Sequence, residues 1–263
     1  MRVAFRVDAS LQIGTGHVMR CLTLAGEFWR LGANVVFICR EHPGNLCNHI
    51  EAMGFEVYRL PWSANDENTE QEYDMDTQPP HANWLGTSWQ KDADETISTL
   101  LLERIDSLVV DHFAIDARWE RKVRDLASVK IGIIDGQLDR AHYCDFFFFF
   151  ILTPNAAFRW KALVPCDCRL FLGPRFAFLN SEFIEERENR RTRDGYIKSI
   201  LVSFGGVDRN NATAKALRAL SKIDISAITV DVVIGPGNPY KEELECSWAH
   251  LPNVNIHFQP SNM

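Results

Sequence analysis

The stretch Arg6–Arg20, near the start of the chain, reads RVDASLQIGTGHVMR and gives the strongest indication of the fold. The apolar run Val3–Val7 leads into a polar turn that contains glycine, and the apolar residues beyond the turn recur at helical spacing. This order predicts a strand, a glycine loop and a helix. Gly14 and Gly16 let the backbone turn tightly, while the start of the helix directs unpaired N–H groups and a partial positive charge at the loop. The stretch therefore predicts an anion site with His17 at its mouth.

The alternation of short apolar runs with helical patterns continues along the chain. Predicted strands cover residues 35–39, 55–60, 108–111, 131–135 and 146–150, and predicted helices cover 46–53, 94–104 and 116–126. The five phenylalanines of Phe146–Phe150 show no alternation, so we expect a fully buried strand there. Buried strands that alternate with helices predict an α/β fold with a doubly wound parallel sheet.

A second α/β unit follows a charge-rich helical stretch at residues 181–195. It has predicted strands at residues 200–204, 228–234 and 254–258 and predicted helices at 212–220 and up to Trp248. The turn Gly205-Gly206 precedes a helix start and is therefore a candidate contact for nucleotide phosphates. We expect an N-terminal Rossmann-like domain over residues 1–179 and a partial C-terminal nucleotide-binding domain over residues 180–263.

Composition excludes several classes of function. The chain has 263 residues, of which 46% are hydrophobic and 24% charged, and a net charge of −7. Such a chain is globular and has no basic face for nucleic acid. No stretch approaches the roughly 20 apolar residues of a spanning helix, and no apolar leader follows Met1. We therefore expect a cytoplasmic protein that binds neither nucleic acid nor membranes, with its seven cysteines reduced.

Residues 61–91 interrupt the pattern with a polar stretch that contains three tryptophans. We favour a surface loop whose tryptophans fold back on the domain; the alternative is a rim over a ligand cleft. Asp74-Met75-Asp76 matches the D-x-D motif of metal-dependent glycosyltransferases. That motif requires the end of a strand, and here it lies in polar loop sequence, so no metal site is expected.

Four motifs together identify a family. The opening pattern R-x-D-x-S-x-Q-I-G-x-G-H-x-x-R resembles the signature of the hydrolases of pseudaminic acid biosynthesis, which act on UDP-2,4-diacetamido-2,4,6-trideoxy-β-L-altropyranose. Its matching residues here are Arg6, Asp8, Ser10, Gln12, Ile13, Gly14, Gly16, His17 and Arg20. Val110–Glu120 resembles the V-D-H-Y-x-L-D-x-x-W-E segment of that family. Gly173–Leu179 and Val202–Asp208 resemble its G-P-x-Y-A-L-L turn and its later strand with a glycine turn.

The resemblance implies two Rossmann-like domains of the GT-B type. In such proteins the nucleotide binds mainly to the C-terminal domain, and the sugar faces the glycine loop of the N-terminal domain. It also implies a UDP-sugar substrate, attack of water on the anomeric carbon with inversion, departure of UDP, and no metal or cofactor; we expect a monomer. The family continues past the position of Met263 into a strand and a G-A-G-G-S-x-x-W-E loop, so we expect the second domain to be incomplete here.

Each candidate residue has a chemical reason. His17 suits the role of general base, because a helix N-terminus disfavours the imidazolium form. Asp8 or Ser10 would orient His17 or the water, although Asp8 is equally suited to capping the turn. Asp111 and His112 end a parallel strand, where such folds bind ligands, or else cap the next helix. The predicted site comprises His17 and Asp8 for catalysis, Arg6, Ser10, Gln12, Gly14, Thr15, Gly16, Arg20, Asp111 and His112 for the substrate, and Gly205 and Gly206 for the nucleotide.

Two other functions stay open at this level. One is a GT-B glycosyltransferase, which an acceptor-dependent product would favour. The other is a binding module or an inactive fragment, which rests on the expected absence of the C-terminal glycine loop. Arg6 and Arg20 are likewise open between ligand contacts and surface salt bridges.

Overall fold

The computed structural model describes residues 1–63, 79–137, 139–189, 194–235, 237–249, 251 and 253–258. The chain divides into two compact units, Met1–Glu185 and Glu186–Met263. The D-x-D segment at residues 74–76 lies outside the described residues. Among the described helices, none combines the length and the apolar character that crossing a membrane requires.

The first unit contains a seven-stranded parallel sheet. Its strands are β1 (Arg2–Val7), β2 (Asn34–Arg40), β3 (Glu56–Leu60), β4 (Ser107–Asp111), β5 (Lys130–Ile134), β6 (Phe146–Phe149) and β7 (Arg169–Leu172). The spatial order is β3-β2-β1-β4-β5-β6-β7. The chain thus builds outward from β1 in one direction, then returns to place β4 on the other side of β1. The carboxyl ends of β1 and β4 therefore form a topological switch point, where open α/β sheets bind ligands.

Helices cover both faces of this sheet. They are α1 (Gly16–Arg30), α2 (Cys47–Ala52), α3 (Trp89–Leu102), α4 (Ala117–Ala127) and α5 (Ala156–Lys161). A further helix, α6 (Ser181–Glu188), has no buried residue and crosses the boundary between the two units. Apolar residues of α1 and α2 pack on one face with Phe5 and Phe37. Those of α3 and α4 pack on the other with Val110 and Ile133. Trp84 and Trp89 pack against this second cluster, so two of the three tryptophans in the polar stretch do fold back on the unit.

The phenylalanine run forms β6, but its burial alternates. Phe147 and Phe149 are buried, whereas Phe146 and Phe148 are half-buried. Phe148 stacks on Phe171 of the edge strand β7, with 4.6 Å between the ring centroids. The expectation of a fully buried strand is therefore wrong for every second residue, because neighbouring aromatic rings cover that face only in part. β7 and α5 were not predicted at all.

The second unit is a smaller parallel α/β layer. Its strands are β8 (Ser199–Ser203), β9 (Thr229–Ile234) and β10 (Val254–Phe258), in the order β10-β9-β8, and its helices are α7 (Ala212–Leu220) and α8 (Lys241–Trp248). Val230 and Val232 of the central strand are fully buried, and Leu217 and Leu244 pack against them from the two helices. Each of these elements lies where the apolar pattern predicts it.

Candidate active site

The residues of the opening motif meet the end of β4 at the switch point. Val7, the last residue of β1, pairs with Asp111, the last residue of β4. Asp8 and His112 follow these two positions directly, and His17 is the second residue of α1. Parallel pairing thus brings together residues about a hundred positions apart in sequence.

Ser10 shapes the glycine loop. Its carbonyl oxygen accepts a hydrogen bond from the Gly14 N–H at 2.8 Å, and its Oγ accepts from the N–H groups of Gln12 and Ile13 at 3.1 and 2.9 Å. Gly14 has a φ of 83°, a left-handed conformation that favours glycine. Ser10 therefore stabilises the loop, and its hydrogen bonds go to the loop backbone rather than to His17.

The start of α1 is open. The first bond within the helix runs from the Met19 N–H to the Thr15 carbonyl at 3.1 Å, and the Thr15 side chain makes no capping bond. Gly16 is exposed, and a Cβ at this position would meet no atom within 4 Å. The N–H groups of Gly16, His17 and Val18 are those that an α-helix leaves unpaired at its start. This end of α1 can therefore donate hydrogen bonds to an anionic group.

His17 and Asp111 form a close pair. The His17 Nδ1 lies 2.6 Å from the Asp111 Oδ1, and the Asp111 side chain is fully buried. The edge of the His17 ring packs on Phe113, with 4.6 Å between the ring centroids. The Nδ1 also lies 3.0 Å from Arg20 Nη2, which can only donate. In the tautomer that donates from Nδ1 to Asp111, the Nε2 lone pair is available as an acceptor. A tenth of the His17 side chain is exposed, as a general base requires.

Arg20 holds Asp111 from the other side. Its Nε and Nη2 donate to the two carboxylate oxygens of Asp111. Cys21 Sγ also lies 3.6 Å from Asp111 Oδ2. Burial acts to raise the pKa of Asp111, but the hydrogen bonds from Arg20 and the neighbouring His17 outweigh it and lower that pKa. Asp111 therefore stays ionised beside His17, and the guanidinium of Arg20 is committed to a salt bridge.

The carboxylate of Asp8 binds groups other than His17, which it was predicted to orient. Its Oδ1 accepts from the Arg6 Nη1 at 2.6 Å and the Arg40 N–H at 2.7 Å. Its Oδ2 lies 3.2 Å from His112 Nε2 and 3.6 Å from His42 Nε2. The side chain is fully buried, and Asp111 rather than Asp8 or Ser10 contacts His17. Burial acts to raise the pKa of Asp8, but the charge of Arg6 and the bond from His112 hold it well below its usual range.

Both ring nitrogens of His112 face groups of the protein. Its Nδ1 accepts from the Ala114 N–H at 3.1 Å, so the ring proton lies on Nε2, which faces Asp8. Burial lowers the pKa of His112, which keeps the ring neutral. Asp116 caps α4 by accepting from the Arg118 N–H, so neither Asp111 nor His112 serves as that cap.

A buried ionic group that the sequence did not reveal lies beneath the site. Asp92 of α3 accepts from Arg6 at 2.6 and 3.2 Å, from Arg40 at 2.7 Å and from Trp119 Nε1 at 3.0 Å. Arg6, Arg40, Asp92 and Trp119 are all fully buried. The prediction that Arg6 contacts substrate is therefore wrong in this structure, since its guanidinium is enclosed. Local patterns gave no signal because Arg6 and Asp92 are 86 residues apart.

A second buried group lies at the end of β5. His142 Nδ1 lies 2.7 Å from Glu120 Oε1, and its Nε2 lies 3.2 Å from Asp135 Oδ2, which also accepts from Arg140. Burial acts to lower the pKa of His142, but the two carboxylates outweigh it and raise the pKa to about 9. The guanidinium of Arg140 lies 5.9 Å from the centre of the Phe113 ring, so this group reaches the residues that contact His17.

The glycine turn of the second unit differs from that of the first. Gly205 has a φ of 75°, and the Gly206 carbonyl accepts from the Gly237 N–H at 2.9 Å. Asp208 accepts from the N–H groups of Ala212 and Thr213 at 2.7 and 2.9 Å. The start of α7 is thus already capped, which removes the helix-start argument for a phosphate site. Contact of Gly205 and Gly206 with a nucleotide stays a prediction of the family resemblance.

Comparison with known proteins supports the resemblance. The chain is 27% identical over 257 residues to UDP-2,4-diacetamido-2,4,6-trideoxy-β-L-altropyranose hydrolase of Campylobacter jejuni, covering 96% of this chain and 76% of that protein. It is 23% identical over 246 residues to an uncharacterised protein of Methanocaldococcus jannaschii, of which it spans 44%. No family model matches the chain. The resemblance that the motifs predict is confirmed by the first relative.

The fold also has solved counterparts. The crystal structure of Acinetobacter baumannii MurG matches with a TM-score of 0.53 at 13% identity, covering 98% of this chain and 67% of that chain. At this identity the likeness concerns the fold alone. With the parallel sheets of both units, it confirms the predicted α/β fold class of GT-B type.

Proposed function

We propose that this chain hydrolyses a UDP-linked 2,4-diacetamido-2,4,6-trideoxy sugar to UDP and the free sugar. The observation that carries the proposal is the pair of His17 and Asp111 at the switch point, with the Nε2 of His17 available as an acceptor. The relative from C. jejuni, whose name states this substrate, supports the choice of reaction. The substrate, the inversion and the absence of a metal requirement are parts of the same proposal.

In this mechanism His17 Nε2 takes a proton from a water molecule. The water oxygen forms a bond to the anomeric carbon while the bond from that carbon to the phosphate oxygen breaks, and UDP leaves with the bonding electrons. Attack from the face opposite the leaving group inverts the anomeric centre. UDP is a good leaving group, so the step needs a base more than an acid. General-base catalysis supplies about a hundredfold or more of the rate.

Asp111 has two functions in this proposal. It holds the His17 ring so that Nε2 points outward, and its negative charge stabilises the imidazolium that forms as the proton arrives. Arg20 in turn fixes the carboxylate of Asp111 through two parallel hydrogen bonds. Arg20 is thus a positioning residue rather than a substrate contact.

In this mechanism the glycine loop supplies electrostatic stabilisation of the leaving group. The N–H groups of Thr15 and Gly16 and the positive end of α1 favour negative charge developing on the departing oxygen. Gly14 gives the loop its left-handed turn, and exposed Gln12 is available to the sugar. Arg6 and Asp8 support this loop from below, through the buried salt bridge that joins β1 to α3.

The experiment that tests the reaction class is turnover in water enriched in oxygen-18. Hydrolysis by attack on carbon places the label at the anomeric position of the free sugar and none in UDP, without any added acceptor. Label in the phosphate would show attack on phosphorus instead. A product that forms only when an acceptor is added would establish the glycosyltransferase and overturn the proposal.

A further inference from the structure

Two cysteines outside the candidate active site lie in direct contact. The sulfur atoms of Cys144 and Cys168 are 3.6 Å apart, although the residues are separated by 24 positions in sequence. Cys144 is buried and Cys168 is half-buried. Disulfide formation requires one sulfur that an oxidant can reach and a second sulfur within reach of the first. This pair meets both requirements.

The backbone holds the two sulfurs in place. Cys144 precedes β6 and Cys168 precedes β7, and the Arg169 N–H donates to the Asp145 carbonyl at 2.9 Å between them. The carboxylate of Asp145 accepts from the Ile131 N–H at 2.9 Å and from Lys130 at 3.0 Å. Both cysteines therefore flank a fixed cross-strand pairing, and closure requires the side chains rather than the strands to move.

The two thiols differ in acidity. Hydrogen bonding from Cys144 lowers the pKa of Cys168, whereas the same contact and burial raise the pKa of Cys144. The thiolate therefore forms on the more accessible sulfur, and the buried thiol remains a proton donor beside it.

We propose that Cys144 and Cys168 are a redox pair that a peroxide converts into an intrachain disulfide. The Cys168 thiolate attacks a peroxide oxygen, the O–O bond breaks, and a sulfenic acid forms with loss of hydroxide. The Cys144 sulfur then attacks the Cys168 sulfur, its proton leaves with the departing oxygen as water, and the S–S bond closes. Two thiols are oxidised, and hydrogen peroxide is reduced to two water molecules.

The test is peptide mapping of the full chain after brief exposure to hydrogen peroxide, with free thiols alkylated before digestion. We expect one linked pair of peptides that joins Cys144 to Cys168, lighter than the two thiol peptides by two hydrogen atoms and separated by a reducing agent. The variant Cys168→Ser should lose this link.

The matched control is Cys166→Ser. Cys166 is exposed and lies two residues from Cys168, so it would be oxidised first if accessibility alone governed the reaction. The proposal predicts that Cys166→Ser keeps the link between Cys144 and Cys168 at wild-type yield. A link that involves Cys166, or alkylation of both Cys144 and Cys168 after exposure, would overturn it. The readout is a mass, so it does not depend on enzymatic activity.

Discussion

At the scale of single residues, the contacts in the structure distinguish among the residues that the motif proposes for the site. His17 is the one predicted catalytic residue whose contacts suit its role, because its partner Asp111 leaves Nε2 open. Asp8 has the right chemistry for a catalytic carboxylate, yet Arg6 and the Arg40 backbone occupy it. The role of a carboxylate depends on which groups donate hydrogen bonds to it, and the spacing of residues in the sequence does not predict these donors.

Replacing Asp111 with asparagine tests the pair. The neutral amide of Asp111→Asn would not stabilise the imidazolium and would allow the wrong tautomer of His17, so we expect the turnover number to fall about a hundredfold or more with little change in KM. Initial rates of UDP release measure this. Asp116→Asn is the matched control, since asparagine caps a helix as well as aspartate does and activity should be retained. Turnover of Asp111→Asn within a few-fold of wild type would remove Asp111 from the mechanism.

Replacing Asp92 with asparagine tests the buried salt bridge. The change leaves Arg6 and Arg40 without their shared carboxylate, and breaking one side of a buried ion pair costs about 3–5 kcal/mol. Urea unfolding followed by tryptophan fluorescence measures the loss. Asp94→Asn on the same helix removes a partner of Lys122 from an exposed pair and should change stability little. Equal losses in the two variants would contradict the assignment.

At the scale of elements, the same order of strand, glycine turn and helix gives an open helix start in the first unit and a capped one in the second. After β1 the helix start is open, because Thr15 makes no capping bond. After β8 the corresponding N–H groups of α7 are bound by Asp208 and Asn211. A strand, a glycine turn and a helix are therefore not sufficient to predict an anion site, since a single acidic residue in the turn can occupy it.

The turn after β8 packs directly on the turn after β9. A Cβ on Gly235 would overlap the Cα and the carbonyl oxygen of Gly206. We therefore expect Gly235→Ala to destabilise the second unit by about 1–3 kcal/mol, measured by hydrogen exchange of its strands. At Gly237 the nearest atoms to an added Cβ are 3.3 Å away, so Gly237→Ala should cost clearly less. The reverse order would show that the two turns do not touch.

The buried His142 predicts a dependence of stability on pH. Its pKa rises from the ordinary 6.5 to about 9 in the folded chain, so folding binds a proton between these values. This contribution is complete below the unfolded pKa and is lost as the pH rises towards the folded one. We expect the urea concentration at the unfolding midpoint to decrease as the pH is raised from about 6.5 to about 9. His142→Asn should flatten this slope, whereas His49→Asn at an exposed position should keep it. An unchanged slope in His142→Asn would contradict the assignment.

At the scale of the whole molecule, local sequence predicted most elements and few of the contacts between them. The apolar runs placed β1, β2, β4 and β5 correctly, because strands buried on both faces have a clear signature. The edge strand β7 was not predicted, because Arg169–Leu172 is short and only half-buried.

The contacts of the site depend on strand order, which periodicity does not encode. His17 meets Asp111 because β4 lies beside β1, and Asp92 reaches Arg6 from a helix packed on the opposite face from α1. Family resemblance proposed a site at the carboxyl end of β1, and parallel topology selected which charged residues face His17 there. The buried charges at Asp92 and His142 had no local signal at all.

A proton NMR time course with UDP-2,4-diacetamido-2,4,6-trideoxy-β-L-altropyranose, run on the wild-type chain and on His17→Ala, tests whether His17 is the base of the proposed hydrolysis. We expect the wild type to release UDP and free sugar with inverted configuration. We expect the rate of the variant to be lower by about a hundredfold or more, with nearly unchanged affinity for UDP. An unchanged substrate signal with a wild-type chain that unfolds cooperatively, or equal rates for the two proteins, would contradict the proposed mechanism.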